Sequence, residues 1–223
     1  MATMNIPGPA YSVRTRRTIV RCWHPADAPL LKATIDASLE HLRPWMAWAD
    51  HEPESLQAKI ERLRAFRGAF DLGQDFCYGI FSPDENEVLG ASGLHTRAGE
   101  GAREIGYWIH VDYVNRGLAT EVAAALTRVG FEIDGLVRVE IHCDPRNVRS
   151  RAVPRKLGFV HEATLRQRAA DPEGGRRDTM VWTLLAEEYE ASVAQKADIE
   201  AYDAAGRKIL SSEGDCSEKR RGV

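Results

Sequence analysis

A short turn of Asn115, Arg116 and Gly117 follows a strand-like segment and leads into a long segment with helical spacing. The first N–H groups of a helix have no partner within the helix and carry partial positive charge, so they form a site for a phosphate. Gly117 and Ala119 are small enough to let a phosphate approach the backbone, and Arg116 adds charge. The segment matches neither GxxxxGK(S/T) nor GxGxxG, the fingerprints of nucleoside triphosphate and dinucleotide sites. A simple turn before a helix is the alternative interpretation.

The elements around this turn follow from the spacing of apolar residues. Alternation predicts an antiparallel meander of three strands, at residues 76–81, 88–95 and 104–111. Apolar residues at every third or fourth position predict a helix at residues 117–134. Strands are also predicted at residues 137–143, 159–165 and 177–185. This order is typical of a mixed sheet with helices on its faces.

The two ends of the chain have simpler patterns. Residues 11–22 are predicted as one strand, followed by a helix that opens within residues 25–29 and a second helix after Pro53. Residues 187–204 are predicted as a helix, and the polar residues from about Ala205 onward as a disordered tail.

A second pattern lies about 30 residues after the turn. Asn147 and Ser150 form Asn-x-x-Ser at the start of a predicted short helix, and Lys-Leu-Gly-Phe follows at residues 156–159. Pro154 lies inside this helix and removes a backbone hydrogen bond to the Ser150 carbonyl, so the helix is predicted to be short or bent. Together the two patterns resemble the Gcn5-related N-acetyltransferase (GNAT) superfamily, whose acetyl-coenzyme A signature Q/R-x-x-G-x-G/A resembles residues 114–119.

Further segments narrow the resemblance to the RimJ/RimL branch, which includes protein N-terminal acetyltransferases; they are residues 41–48, 104–109 and 177–185. The resemblance covers residues 11–190 and implies an α/β fold, with a central, mixed but mostly antiparallel sheet that is splayed at the cofactor site and has helices on both faces. Residues 191–223 are expected to form a C-terminal helical extension and a polar, disordered tail. The chain departs from the signature at Val114, where the family usually has Gln or Arg.

The resemblance implies that acetyl-coenzyme A is the co-substrate and binds along this strand, turn and helix. Backbone groups of Ile109 and Val111 would pair with the cofactor amides as an added strand does. Asn147 would bond to the pantetheine arm, and its alternative role is to shape the turn after Pro145. The residues expected to bind the cofactor are Trp108, Ile109, His110, Val111, Asn115, Arg116, Gly117, Leu118, Ala119, Thr120 and Asn147.

Acetyl transfer to an amine requires a neutral nucleophile, a stabilised oxyanion and a proton for the leaving thiolate. Glu104 is the predicted general base, because it lies on the strand that leads to the turn and the family often has a carboxylate there. An exposed strand carboxylate is the alternative for Glu104. Ser150 is the predicted general acid by its resemblance to RimL-like members, with a helix N-cap as its alternative.

The motifs define the donor site and leave the acceptor amine open. Trp45 and Trp48 follow the first helix and are expected to line the acceptor cleft, with core packing as the alternative. A protein N-terminal α-amine is the leading hypothesis, and a small amine such as an aminoglycoside-type antibiotic or an amino acid is the alternative. Such a polycation would be attracted by carboxylates near the first helices, unless these form a solvated face: Asp36, Glu40, Asp50, Glu52 and Glu54.

A hypothesis of another class is a non-catalytic module that binds coenzyme A. Many proteins of the superfamily form homodimers, and the sequence does not decide the oligomeric state. A catalyst releases free thiol from acetyl-coenzyme A in the presence of an amine, whereas a module binds without turnover.

The 223 residues include 30 Lys and Arg against 33 Asp and Glu, a net charge of −3. Without a basic surplus the composition gives no support for nucleic-acid binding. No apolar segment is long enough for a membrane span and the first residues do not resemble a secretory signal, so a cytoplasmic protein without a membrane partner is expected.

The cysteines and histidines give no sign of a metal site. Cys22, Cys77, Cys143 and Cys216 include no CxxC pair, which argues against both a zinc site and a disulfide framework. Four histidines on predicted strands show no metal-ligand spacing and are assigned to packing or surface roles: His95, His110, His142 and His161. No metal is therefore expected.

Overall fold

Ten strands and five α-helices form along residues 8–171 and 174–211, the part of the chain that this computed structural model describes. The strands are β1 (Ser12–Arg14), β2 (Ile19–Cys22), β3 (Phe76–Phe81), β4 (Val88–His95), β5 (Ala102–Ile109), β6 (Arg138–Cys143), β7 (Val160–Ala170), β8 (Arg176–Leu185), β9 (Glu200–Tyr202) and β10 (Lys208–Ser211). The helices are α1 (Ala28–Leu42), α2 (Leu56–Asp71), α3 (Leu118–Glu132), α4 (Val148–Leu157) and the one-turn α5 (Ala186–Tyr189).

These strands form one sheet in the order β10-β9-β1-β2-β3-β4-β5-β6-β8-β7. Neighbouring strands are antiparallel except β5 and β6, which run parallel. The predicted meander is confirmed as β3, β4 and β5, and the predicted α/β fold with a mostly antiparallel sheet is confirmed with it.

The sheet opens between its two parallel strands. β5 and β6 pair only from Ala102 opposite Arg138 to Glu104 opposite Glu140. Beyond Glu104 they no longer pair, and residues 105–109 of β5 continue alongside β4 alone. This is the splay that the resemblance implies.

Helices cover both faces of the sheet. On one face α3 packs its apolar stripe against the sheet, with Val122, Leu126 and Val129 buried. On the other face α1 and α2 bury Ile35 and Leu63 against the sheet. Full burial of one such side chain stabilises the fold by about 1.5–3 kcal/mol, so these contacts fix both helical layers on the sheet.

The single strand predicted at residues 11–22 is instead two strands, β1 and β2, joined by a tight turn. Thr15 Oγ1 accepts hydrogen bonds from the backbone N–H groups of Arg17 at 3.3 Å and Thr18 at 3.0 Å. Such local side-chain bonds compete with a continuous strand.

The helix predicted at residues 187–204, and with it the expected C-terminal helical extension, is replaced by α5, a 3-10 turn and β9. Ala201 of β9 pairs with Val13 of β1, and Ile199 is buried in the core. The open edge of β1 therefore overrides the local helical pattern.

The predicted disordered tail also begins differently, because Lys208–Ser211 forms β10 beside β9. Residues 212–223, including Cys216, lie outside the described residues. Among the described helices, none has the length and apolar character needed to cross a membrane.

Candidate active site

The backbone of β5 is exposed where β6 leaves it. The His110 N–H donates to the Leu89 carbonyl at 2.8 Å, so residues 105, 107 and 109 direct their backbone polar groups away from β4. Ile109 is therefore oriented for the predicted pairing with an extended ligand. Val111 differs from the prediction, because its N–H donates to Ser38 Oγ at 3.1 Å.

Two residues with left-handed backbone build the turn before α3. Asn115 has a φ of 61° and Gly117 a φ of 81°, a conformation that glycine adopts without strain. Gly117 is the N-cap residue of α3 and offers no side-chain cap, so the first amides of the helix have no helical partner. These amides belong to Leu118, Ala119 and Thr120, and all three residues line a groove.

Arg116 does not line this groove. Its guanidinium lies 4.9 Å from the centroid of the Tyr113 ring, and its carbonyl accepts a hydrogen bond from Arg17 Nη1 at 2.8 Å. Arg17 also donates from Nε to Glu121 Oε2 at 2.6 Å. Arg17, which sequence reasoning missed, thus ties the β1–β2 turn to the start of α3.

The groove has a volume of about 600 Å³ and lies among the ends of α1, α3 and α4. It is lined by eight of the residues predicted to bind the cofactor: Trp108, Ile109, Asn115, Gly117, Leu118, Ala119, Thr120 and Asn147. The predicted residues His110, Val111 and Arg116 do not line it, and His110 Nδ1 instead accepts from the Asp112 N–H at 3.1 Å.

Basic residues that sequence reasoning missed also line the groove, on α4 and just before it. Arg146 forms two ion pairs: its Nη2 lies 2.9 Å from Asp144 Oδ2 and 2.8 Å from Asp171 Oδ2. Arg149 and Lys156 lie two helical turns apart on one side of α4. That seven-residue spacing is the signal by which the sequence could have revealed them.

Asn147, and not Ser150, caps α4. Asn147 Oδ1 accepts from the Ser150 N–H at 3.0 Å, so the N-cap alternative for Ser150 is wrong. Ser150 Oγ lies 3.3 Å from the Tyr107 hydroxyl oxygen, and that hydroxyl donates to the Ser150 carbonyl at 3.1 Å. Pro154 lies inside α4 and has no N–H for this carbonyl. Tyr107, which sequence reasoning missed, supplies the replacement donor.

A cleft of about 760 Å³ adjoins the groove. The residues that line both are Trp45, Met46, Tyr107, Trp108, Asn147 and Ser150. The Tyr107 and Ser150 hydroxyls therefore lie close to where the two cavities meet. Burial raises the pKa of Tyr107 well above its ordinary value, although the hydrogen bond with Ser150 opposes the rise, so this phenol stays protonated.

Both tryptophans predicted for the acceptor line the cleft. Trp48 packs against Trp108 with ring centroids 6.0 Å apart, and it also contacts the hydrophobic cluster under α1 and α2. The Trp45 carbonyl accepts from Arg177 Nη2 at 2.7 Å, which fixes this loop to β8. For Trp48, the cleft wall and core packing are thus compatible.

Glu104 lies in the cleft with only 7% of its surface exposed, so the exposed-carboxylate alternative is wrong. Both of its carboxylate oxygens accept from Arg97, each at 2.6 Å. Burial alone would raise the pKa of Glu104, but the Arg97 bonds and the charge of His142 bring it below its usual value. This geometry disfavours direct proton abstraction by Glu104, because a clamped, stabilised carboxylate is a weak base.

Two histidines assigned to packing also line the cleft. His142 Nε2 lies 2.7 Å from Glu140 Oε2, and its Nδ1 lies 3.4 Å from Glu104 Oε2. His95 Nδ1 lies 2.9 Å from Asp75 Oδ2, and the donor atoms of Asp75, His95 and Cys77 lie within 4.8 Å of one another. Sequence spacing missed these clusters because the fold brings their members together from separate segments.

The carboxylates proposed to attract a polycation do not line the cleft. Glu52 is buried against Lys59, Glu54 pairs with Arg62, and Asp36 pairs with Lys32. The charged residues that line the cleft, histidines aside, are nearly balanced, with Asp75, Glu104, Asp144 and Asp178 against Arg62, Arg97 and Arg177.

Known proteins share both the sequence pattern and the fold. Residues 17–160 match the model of the acetyltransferase (GNAT) domain family. The [ribosomal protein uS5]-alanine N-acetyltransferase of Escherichia coli (strain K12) is 28% identical over 159 residues, 69% of this chain and 80% of that protein.

Two solved structures share the fold. Mycobacterium smegmatis RimJ, in complex with a coenzyme A disulfide, superposes with a TM-score of 0.72 at 24% identity, covering 84% of this chain and 92% of that one. The ribosomal-protein-S5-alanine acetyltransferase of Vibrio fischeri superposes with a TM-score of 0.69 at 20% identity, covering 80% of this chain and 98% of that one. With a sheet splayed beside the helix that carries the signature turn, and a family match over most of its length, the chain belongs to the GNAT acetyltransferases and is an acetyl-coenzyme A-dependent N-acetyltransferase.

Proposed function

We propose that the protein transfers the acetyl group of acetyl-coenzyme A to the N-terminal α-amine of a protein. The observation that carries this proposal is the junction of groove and cleft at Tyr107 and Ser150. The groove receives the donor from one side, and the cleft receives the amine from the other. The thioester and the amine meet beside the Ser150 hydroxyl.

The donor site consists of backbone groups and a few basic side chains. The pantetheine arm pairs with the outward backbone groups of Tyr107 and Ile109. The phosphates approach the first amides of α3, at residues 118–120, with Arg149 and Lys156 adding positive charge. A chain with net charge −3 can hold a polyanion in this way, because the favourable charges are local.

The amine nitrogen attacks the thioester carbonyl carbon, a C–N bond forms, and the C–S bond breaks as the tetrahedral intermediate collapses. A backbone N–H on the exposed side of β5 stabilises the oxyanion. Ser150 Oγ donates its proton to the leaving thiolate and regains one from the attacking nitrogen as the amide forms, with the Tyr107 hydroxyl 3.3 Å from it. Glu104 provides negative charge beside the ammonium group before transfer.

Two observations favour a protein acceptor over a small polycation. The near balance of charge in the cleft gives little attraction for a polycation such as an aminoglycoside. The relative in Escherichia coli is named for acetylating an alanine of a ribosomal protein.

The proposal is tested with peptides that carry a free N-terminal alanine or serine. Thiol release from acetyl-coenzyme A is followed, and mass spectrometry locates the acetyl group. The matched control is the same peptide with a blocked N-terminus and an internal lysine, and an aminoglycoside and free amino acids complete the panel. We expect acetylation only at the N-terminal α-amine of the unblocked peptides.

Acetylation confined to the small amines would overturn the proposed acceptor. Binding of acetyl-coenzyme A without turnover on any amine would instead support the non-catalytic module.

A further inference from the structure

A histidine of the cleft is held in one orientation by a carboxylate. His95, at the end of β4, has its Nδ1 2.9 and 3.2 Å from the two carboxylate oxygens of Asp75. The Thr96 N–H donates to Asp75 Oδ1 at 3.2 Å, and the Cys77 thiol donates to Oδ2 at 3.5 Å. A carboxylate beside Nδ1 selects the tautomer with the proton on Nδ1. The Nε2 lone pair of His95 is then free to accept a proton.

Two facing glycines make room for this imidazole. Gly93 of β4 and Gly106 of β5 are register partners. A Cβ added to Gly93 would lie 2.6 Å from His95 Nε2, and one added to Gly106 would lie 3.3 Å from it. The imidazole thus lies against Gly106 of β5, and both residues line the cleft that Tyr107 and Ser150 also line.

The other candidate bases of the cleft are occupied. Both oxygens of Glu104 are held by Arg97. Both ring nitrogens of His142 face carboxylates, those of Glu104 and Glu140. His95 Nε2, by contrast, has no hydrogen-bond partner within residues 8–171 and 174–211.

We propose that His95, oriented by Asp75, is the catalytic base that takes the proton of the acceptor amine. The proton moves from the α-ammonium nitrogen to His95 Nε2, the neutral nitrogen then attacks the thioester carbon, and Asp75 stabilises the resulting imidazolium. The proton then leaves to solvent, so the step needs no other reactant. The assignment rests on the proposed function for the choice of amine.

The chemistry of the amine fits a histidine base. An α-amine has a pKa of about 7.7–8.0 and a lysine ε-amine of about 10.4, against about 6.5 for imidazole. The proton of an α-ammonium is therefore far less tightly held than that of a lysine ammonium, which makes it the easier proton for an imidazole to take. The titratable and charged groups that face His95 are Asp75, Cys77, Arg97 and Glu104.

The test is the pH dependence of kcat for His95→Gln against the unaltered enzyme, with whichever amine that enzyme acetylates. We expect a loss of about 10-fold at pH 7, because only about one tenth of an α-amine is neutral there without a base. The loss should shrink to less than about threefold at pH 9.5, where an α-amine is already neutral. Asp75→Asn should lose about fourfold at pH 7 and should likewise recover at pH 9.5. The matched control His161→Gln, outside both cavities, should stay within about twofold.

A kcat of His95→Gln within about twofold of the unaltered enzyme at pH 7 would overturn the assignment, as would a loss of equal size at every pH, which indicates a structural role. Thermal unfolding and the KM for acetyl-coenzyme A report whether the variant is folded. If His95→Gln does not fold, Asp75→Asn decides by the same pH criterion. If the unaltered enzyme acetylates no α-amine, the proposed acceptor is wrong. The ratio of the kcat of His95→Gln to that of the unaltered enzyme tests the base alone, with whichever amine is used.

Discussion

The Tyr107 hydroxyl donates to the Ser150 carbonyl at 3.1 Å, the carbonyl that Pro154 leaves without a helical N–H. A strand of the sheet thereby completes the hydrogen bonding of α4. The same hydroxyl lies 3.3 Å from Ser150 Oγ, so the proline that interrupts the helix also helps to place a phenol beside the predicted proton donor.

This relationship predicts a coupling between Tyr107 and Pro154. Tyr107→Phe should lower the free energy of unfolding by about 1–2 kcal/mol, because it leaves a carbonyl without a donor. Pro154→Ala restores a backbone N–H near that carbonyl, so Tyr107→Phe should cost about 0.5–1 kcal/mol less in its background. Urea denaturation of the two single variants, the double variant and the unaltered protein measures the coupling. An equal cost in both backgrounds would contradict it.

Glu104 should contribute to stability in a pH-dependent way. Burial alone would raise its pKa, but the Arg97 bonds and His142 lower it, and a lowered folded-state pKa stabilises the fold above the unfolded value and loses that effect as pH falls. The difference in unfolding free energy between the unaltered protein and Glu104→Gln should be largest near pH 7 and shrink below about pH 4. Urea denaturation at several pH values measures it. The exposed Glu100→Gln control should show little difference at any of them.

Lys156 should act on the phosphates of the donor. Lys156→Ala should raise the KM for acetyl-coenzyme A about three- to tenfold, with kcat nearly unchanged, because it removes a charge that acts before the chemical step. The KM for S-acetylpantetheine, which has no phosphate, should not change. Arg155→Ala is the matched control, since its exposed side chain does not line the groove. A similar rise for both donors would assign Lys156 to packing.

The cluster of Asp75, Cys77 and His95 should not require a metal for activity. Burial, with the neighbouring Asp75, raises the pKa of the Cys77 thiol to about 12, which disfavours the thiolate that binds metals. Activity after dialysis against EDTA should therefore equal that of the untreated enzyme. Loss of activity that added Zn²⁺ restores would show that the cluster holds a metal.

Part of the groove could be predicted from the sequence, because several of the residues that line it lie within two short segments. Residues 115–120 and 147–150 carry their geometry locally, in a turn before α3 and a cap on α4. The predicted residues Trp45, Trp48 and Glu104 do line the cleft. The Asp75–His95 pair and the Arg97 clamp on Glu104 could not be predicted, because they exist only once separate segments meet.

The same reason explains the C-terminal error. Residues 187–204 have a helical pattern, but the free edge of β1 recruits Glu200–Tyr202 as a strand. Which edge is free is a property of the assembled sheet, and no local pattern reports it.

The pairing of β9 with β1 also has a practical side. The family match ends at residue 160, yet β9 pairs with β1 and β10 with β9. β1 in turn leads into the turn from which Arg17 holds the Arg116 carbonyl. A recombinant protein shortened to residue 190 would expose a row of unpaired amides and carbonyls along β1, a template for aggregation. It would also weaken the contact between Arg17 and the turn before α3. A domain boundary chosen from sequence similarity would therefore remove strands that support the groove.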